Sequence, residues 1–320
     1  AEAIVTPKEL IPYLGQGRHT GKVGNLAYHN SLMVQFWGAL ATRDTRLMTH
    51  VLRTHFPTSL NNATYATYIR CHDDIGWAVT DEDAAALGLS GAAHRAYLSD
   101  FYEGSFPGSF ARGALFQVNE ATGDKRISGT FASLAGLELA LAEGDAGAVE
   151  AAIQRILMGH ALIACFGGIP LIYMGDELAL LNDWGYRDVP EHAHDSRWVH
   201  RPRMDWTLAA ERHRAETPSA RVFRGTRHIL ARRKATPGLH AAHPTEVLVA
   251  PVPGILAVAR RAPTGTILCL FNFTDSWSHL PADWLRANGA TAFHDALSDA
   301  PVADHDGNIA LPPHGRVWLT

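Results

Sequence analysis

The stretch from Asp145 to Glu177 limits what this chain can become more than any other. Asp145 is placed to cap a helix whose apolar positions Val149, Ile153, Ile156, Leu157 and Ile163 recur at a period of roughly 3.6. Gly167-Gly168 stops that helix, and Ile169-Pro170-Leu171-Ile172-Tyr173-Met174 follows as an uninterrupted apolar run. A helix, a glycine stop and a wholly apolar strand make one repeat of a parallel α/β sheet. The run ends in Gly175-Asp176-Glu177. A second buried run, Tyr65 to Ile69, ends in Arg70-Cys71-His72-Asp73-Asp74-Ile75-Gly76-Trp77. In parallel α/β folds, barrels above all, active sites form where strands end at their C-termini.

Other segments fall around these two runs. Ala1-Glu2-Ala3-Ile4-Val5 reads as the tail of a strand. Thr6, Pro7 and Glu9 then open a short helix with a capping box. Residues 28–56 read as two amphipathic segments broken near Ala41–Asp44. Residues 78–130, with Asp81-Glu82-Asp83, many glycines and the aromatic-rich Phe101–Phe116, read as an irregular insertion. A long loop spans 178–206, and a basic helix at about 219–235 turns Val222, Phe223, Ile229 and Leu230 inward. Pro237–Pro244 is a linker. From Glu246 onward short alternating strands punctuated by Pro and Gly read as an all-β module.

Bulk properties exclude several classes. A net charge of −4 with scattered basic residues argues against nucleic acid or an anionic membrane as the main partner. No run of 18 apolar residues is present to span a bilayer. Cys71, Cys165 and Cys269 are far apart, odd in number and set in apolar segments, the pattern of reduced thiols in a cytoplasmic protein. No signal peptide is visible, although a chain that starts at Ala1 leaves an upstream one open.

Polar clusters at element ends carry the chemistry: Glu2, His72-Asp73-Asp74, Asp176-Glu177 and Asp195-Ser196-Arg197-Trp198. Paired carboxylates are what cleavage of a glycosidic bond requires, one protonated donor and one ionised partner. Plainer readings stand beside this one. Asp73 or Asp74 can start a turn, His72 can be a satisfied core histidine, and Asp176-Glu177 can cap the next helix. Arg197, Arg201 and Arg203 can form a solvated basic loop. The 18 histidines include His192 and His194, yet no His-Glu-x-x-His or Cys-x-x-Cys spacing supports a metal site. No Gly-x-Ser-x-Gly turn or glycine-rich phosphate loop is present either.

Several motifs in order resemble the amylosucrases and the closely similar sucrose hydrolases of the α-amylase superfamily. They are Glu-Ala-Ile-Val at 2–5, His-Asp-Asp-Ile-Gly-Trp at 72–77, Asp-Glu-Asp-Ala-Ala at 81–85 and Gly-Ser-Phe-Ala-Arg-Gly at 108–113. Thr-Gly-Asp-Lys-Arg-Ile-Ser-Gly-Thr at 122–130 and Asp-Ser-Arg-Trp-Val-His-Arg-Pro-Arg at 195–203 complete the set. The resemblance is dense over about residues 2–235 and looser beyond.

The resemblance implies the C-terminal half of a (β/α)8 TIM barrel with an inserted subdomain, followed by an all-β sandwich. Its implied boundaries are 1–77 for strands five to seven, 78–135 for the insertion, 136–240 for the rest of the barrel and 245–320 for the sandwich. It implies a retaining enzyme that cleaves sucrose, releases fructose and passes glucose to an α-glucan through a β-glucosyl-enzyme. Glu2 matches the general acid/base. His72 and Asp73 match the pair that grips the glucosyl hydroxyls and stabilises the transition state. Ile4, Asp74 and Arg126 match residues at the fructosyl or acceptor position, and Arg197 the arginine that closes the pocket by pairing with an Asp. The family's nucleophilic Asp and that pairing Asp both lie before the acid, so the expectation is that an N-terminal half of the barrel supplies them. Cys71 stands where serine is common, with little consequence expected.

Sucrose hydrolysis, with water as acceptor, is the alternative. A non-catalytic carbohydrate-binding relative is a third reading, disfavoured because such relatives usually lose the carboxylates kept here as Glu2 and Asp73. No cofactor is needed for a double displacement at a glycosidic carbon, and no ligand set for calcium is evident.

Overall fold

The structure is a computed structural model that describes every residue except Ile4 and Ala215. In chain order the first elements are α1 (Pro7–Leu14), β1 (Leu26–Tyr28), α2 (Asn30–Thr42), α3 (Arg46–His55) and β2 (Thr64–Thr67). Next come α4 (Asp81–Ala85), α5 (Gly91–Glu103), β3 (Ala114–Val118), β4 (Lys125–Ser128), α6 (Phe131–Leu134), α7 (Leu137–Glu143), α8 (Ala146–Cys165) and β5 (Ile169–Pro170). The chain closes with α9 (Trp206–Glu211), α10 (Pro218–Ala235), β6 (Thr245–Leu248), β7 (Ile255–Ala262), β8 (Gly265–Asn272), β9 (Ser278–Pro281), α11 (Ala282–Ala287), β10 (His294–Asp295), β11 (Ala300–Pro301), β12 (Asn308–Leu311) and β13 (Arg316–Leu319). These elements divide into two compact units. The first holds residues 1–68, 158–171 and 228–320, and the second 69–157 and 172–227.

In the first unit, β1, β2 and β5 form a parallel sheet in that order, with Ala27 opposite Tyr65 and Ala66 opposite Ile169. Ala1 lies along β1, its ammonium donating to the Leu26 carbonyl at 2.6 Å and its carbonyl accepting from the Tyr28 amide at 3.1 Å. Glu9 accepts from both the amide and the hydroxyl of Thr6, which closes the capping box read from the sequence. The α2 helix is buried from Asn30 through Ala41, so it is a core helix buried on every face rather than an amphipathic one. The apolar run after Gly168 is a shorter strand than expected: only Ile169 and Pro170 pair, and Ile169 and Met174 are half exposed. Pro170 has no N–H to extend a ladder. The α8 helix is long and apolar enough to cross a membrane by composition alone, but most of it is buried in the protein.

The end of the first unit is antiparallel throughout. A six-stranded sheet has the order β11-β10-β13-β8-β7-β6, and β9 pairs with β12 beside it. Leu268, Leu270, Leu280, Ile309 and Leu319 from both sheets share one core. At its edge the buried Asn272 side chain donates to the carbonyls of Ser276, Leu311 and Pro312 and accepts from Thr274 and Ser278.

The second unit is more regular than its composition implied. Thr80 and Ser90 accept from the amides of Asp83 and Ala93 to start α4 and α5, and Gly104 ends α5 at φ 98°. The β3–β4 hairpin follows. The acidic, glycine-rich segment is thus largely caps and turns between ordered elements. Trp77, stacked on Tyr102, donates its indole N–H to Ser99 at 3.0 Å.

Asn272 satisfies the carbonyls of Ser276, Leu311 and Pro312 and the amide of Thr274 with one side chain. Asn272→Ala is expected to cost about 2–5 kcal/mol, because several buried partners lose their hydrogen bonds together. Urea unfolding measures this, and a loss within about 0.5 kcal/mol of zero would contradict it.

Candidate functional site

Beyond β2, residues Ile69–Trp77 form an irregular segment held at several points. Ile75 and Ile127 exchange backbone hydrogen bonds of 2.7 and 3.1 Å in an isolated bridge, both side chains fully buried. That bridge sets β4 against the segment and brings Arg126 to Asp74, with Nη1 donating to Oδ2 at 3.3 Å. Arg70 is buried and donates from Nε to the Gly129 carbonyl at 2.9 Å and from Nη2 to the Asp73 carbonyl at 2.8 Å. The His72 carbonyl accepts from Arg201 at 2.6 and 2.9 Å and from His200 Nε2 at 3.1 Å. A carbonyl only accepts, so His200 carries its proton on Nε2.

Arg197 organises the second wall. Asp195 caps the 3-10 turn Ser196–His200 by accepting from the Arg197 amide at 3.0 Å. Its carboxylate also receives Arg197 Nε at 2.9 Å and Nη2 at 2.8 Å, a bidentate fork. The remaining arm, Nη1, donates to Asp73 Oδ1 at 3.0 Å, and the guanidinium sits 4.7 Å from the Phe116 ring centroid.

Electrostatics separates the neighbouring carboxyls. For Asp73, burial pushes upward, but hydrogen bonds from Arg197 and Asp74, with the Arg197 charge, outweigh it and hold the group below the ordinary range. For Asp74, burial and the Asp73 charge outweigh Arg126 and raise it. The two neighbouring carboxyls are thus pushed in opposite directions, Asp73 down and Asp74 up. The hydrogen bond from Arg197 holds Asp195 down to about 2. Burial keeps His200 neutral, with the Arg70 charge adding to it. Behind the segment, burial pushes Asp176 up to about 8 against the opposing Arg70 charge, with Glu177 adding to the rise. Asp176 also accepts from the Phe131 amide at the start of α6, so the capping reading of this carboxylate holds for a different helix from the one expected.

Of the residues singled out in the sequence, Asp73, Asp74, Arg126 and Arg197 come together in the second unit. His72 is there through its backbone, with an exposed side chain. Glu2 is exposed in the first unit, and Ile4 lies outside the described residues. Arg197, expected to need an Asp from elsewhere, has two carboxylate partners within these 320 residues. Arg201 bonds the His72 carbonyl and is not part of a merely solvated loop. Sequence reasoning missed Arg70 and His200; the only signal was their place beside carboxylates at element ends. Among the described residues no cluster of His, Cys, Asp and Glu has the arrangement to hold a metal ion.

Residues 245–320 match the amylosucrase C-terminal domain. The chain also resembles solved carbohydrate enzymes. Cyclic alpha-maltosyl-(1→6)-maltose hydrolase from Arthrobacter globiformis aligns with 15% identity and a TM-score of 0.54, covering 100% of this chain and 48% of its own. An alpha-amylase from H. orenii aligns with 10% identity and a TM-score of 0.52, covering 99% and 51%. Sucrose 6F-phosphate phosphorylase from Thermoanaerobacter thermosaccharolyticum aligns with 14% identity and a TM-score of 0.51, covering 78% and 43%. The fold is shared with α-amylase-family enzymes. At these identities the likeness is one of fold, and the chain spans about half the length of the structures it matches.

Asp176 makes the second unit pH-sensitive. Its carboxyl is protonated in the folded state up to about 8 but ionises near 3.8 when unfolded, so the folded state binds the extra proton in between. This contribution to stability is fully present below about 3.8 and is lost as pH rises through about 8. Asp176→Asn should remove that slope from the urea midpoint, and an unchanged slope would contradict the assignment.

Proposed function

We propose that this chain is the C-terminal part of a retaining, sucrose-active α-glucosyltransferase, with the α/β portion forming the later strands of a (β/α)8 barrel. The observation that carries the reading is the split pair at the end of β2. Arg197 holds the Asp73 carboxyl below the ordinary range, and burial with the Asp73 charge holds Asp74 above it beside Arg126. The amylosucrase-like domain at 245–320 supports the same family.

In this reading Asp73 faces the anomeric centre of glucose. Its negative charge stabilises the oxocarbenium-like transition state, and Arg197 fixes its orientation and closes the pocket. His72 binds glucosyl hydroxyls. Asp74 hydrogen-bonds the fructosyl or acceptor sugar, and Arg126 and Ile4 border the same position. Glu2 protonates the departing fructosyl oxygen and later deprotonates the acceptor, as a retaining double displacement requires. The nucleophile is a carboxylate about 5–5.5 Å from that acid. The family resemblance places it on an earlier barrel strand, in an Arg-x-Asp motif outside these residues, so a segment or partner carrying that strand is part of the working enzyme. The three buried free thiols suit a reducing compartment such as the cytoplasm. No step calls for a cofactor.

The 320 residues alone should give no detectable fructose from sucrose, and turnover by the isolated chain would sink the proposed division of the site. In the enzyme completed with its earlier strands, Asp73→Asn should lower kcat/KM on sucrose by at least about 10²–10³-fold. Insoluble glucan among the products marks the transferase; equimolar glucose and fructose mark the alternative, a sucrose hydrolase. Activity on maltooligosaccharides without activity on sucrose would overturn both.

A further inference from the structure

Asp73 is fixed by more than the contact on its carboxylate. A peptide unit is planar, so a residue keeps only φ and ψ as soft dihedrals. For Asp73 these are the tilts of the peptide planes before and after it, which carry the carbonyls of His72 and Asp73. Both oxygens are held. The Asp73 carbonyl accepts from the buried Arg70 Nη2 at 2.8 Å. The His72 carbonyl accepts from Arg201 Nε at 2.9 Å, Arg201 Nη2 at 2.6 Å and His200 Nε2 at 3.1 Å. With both planes fixed, the direction of the Asp73 side chain is set before Arg197 meets its carboxylate.

Three donors converge on the His72 oxygen, which has two lone pairs, and two of them come from one guanidinium. Charge-assisted hydrogen bonds are about twice as strong as neutral ones, so the neutral His200 ring, at the longest of the three distances, is the weaker hold. The guanidinium is itself oriented. It lies 5.5 Å from the Trp198 ring centroid, and Trp198 stacks on His192 with centroids 3.6 Å apart and planes 13° apart. Arg201 sits 129 residues from His72 in sequence and donates to this backbone oxygen, to neither Asp73 nor Asp74 carboxylate. It is only partly buried, so unlike Arg70 it can be replaced without opening the core. We propose that Arg201 is a positioning residue: by fixing the plane of the peptide bond between His72 and Asp73, it aims the Asp73 carboxylate. The consequence for catalysis rests on the reading of Asp73 given under the proposed function; the backbone constraint does not. Misplacing a group by about 1 Å costs on the order of 10²-fold in rate.

The first test uses the 320-residue chain and nitrogen-15 relaxation on the ps–ns timescale. In the parent the Asp73 amide should have the order parameter of rigid backbone, about 0.85. Arg201→Met keeps a long stem and removes the donors, and should drop that value below about 0.6. The amides of Ile75 and Ile127, which bond each other's carbonyls, should stay rigid. If the methionine variant does not fold, Arg201→Lys, which keeps the charge and loses the fork, is read in its place. The second test uses the enzyme completed with its earlier strands. There Arg201→Met should lower kcat on sucrose about 10²-fold and change KM by less than about threefold. In an Asp73→Asn background the same change should add less than about threefold, because the group that Arg201 aims is already gone. A merely structural role would multiply the two losses. The proposal is overturned if they multiply, if the Asp73 amide keeps its order parameter in the variant, or if it is already flexible in the parent. A completed parent enzyme that leaves sucrose untouched counts against the proposed function, and the relaxation data still decide the role of Arg201.

Discussion

Two adjacent carboxyls in a half-buried segment cannot both ionise cheaply, and the second unit is arranged around that constraint. Asp74 is almost wholly buried and Asp73 only partly so, which makes Asp74 the one that is raised. Each then has its own arginine. Arg197 bridges Asp73 and Asp195 with one planar fork, a geometry that a lysine's point charge does not reproduce. Arg126 reaches Asp74 only because the Ile75–Ile127 bridge sets β4 against the segment. Arg70 works from behind on backbone carbonyls, so the turn that presents Asp73 is held by a buried cation and not by packing alone.

How much of this was legible depends on the range of the interactions. The Asp145 cap, the period of α8, the glycine stop and the capping box at Thr6 are local, and each is seen in the structure. The β1 strand has three residues, too few for any alternation to register. The α2 helix was misread because amphipathicity is a statement about surroundings, and here every face meets the core. The insertion between 78 and 130 read as irregular because Thr, Ser, Asp and Gly serve equally as caps and as loop residues. Its two helices begin where Thr80 and Ser90 accept from the amides three residues on.

The candidate site divides the same way. His72-Asp73-Asp74 and Asp195-Ser196-Arg197 stood out because charged groups crowd the ends of apolar runs. The link between them spans 124 residues and is a matter of tertiary structure. Asp195 as the partner of Arg197 was within reach: an Asp that caps a 3-10 turn has its carboxylate beside the side chain two residues on. The sequence reading instead looked for a distant partner, as the family resemblance implied. Arg70 and His200 left no such trace, because a buried arginine that binds carbonyls has the same sequence appearance as one in solvent.

The central claim is that the two carboxyls are pushed apart, Asp73 below the ordinary carboxylate range and Asp74 above it. Carbon-13 NMR of the two side-chain carboxyls, followed from acid to neutral pH, tests it most directly. The account predicts that Asp73 titrates below the ordinary carboxylate range and Asp74 above it, and that Arg197→Gln raises Asp73 and narrows the gap. Carboxyls that titrate together near the ordinary value, or in the reverse order, would contradict it.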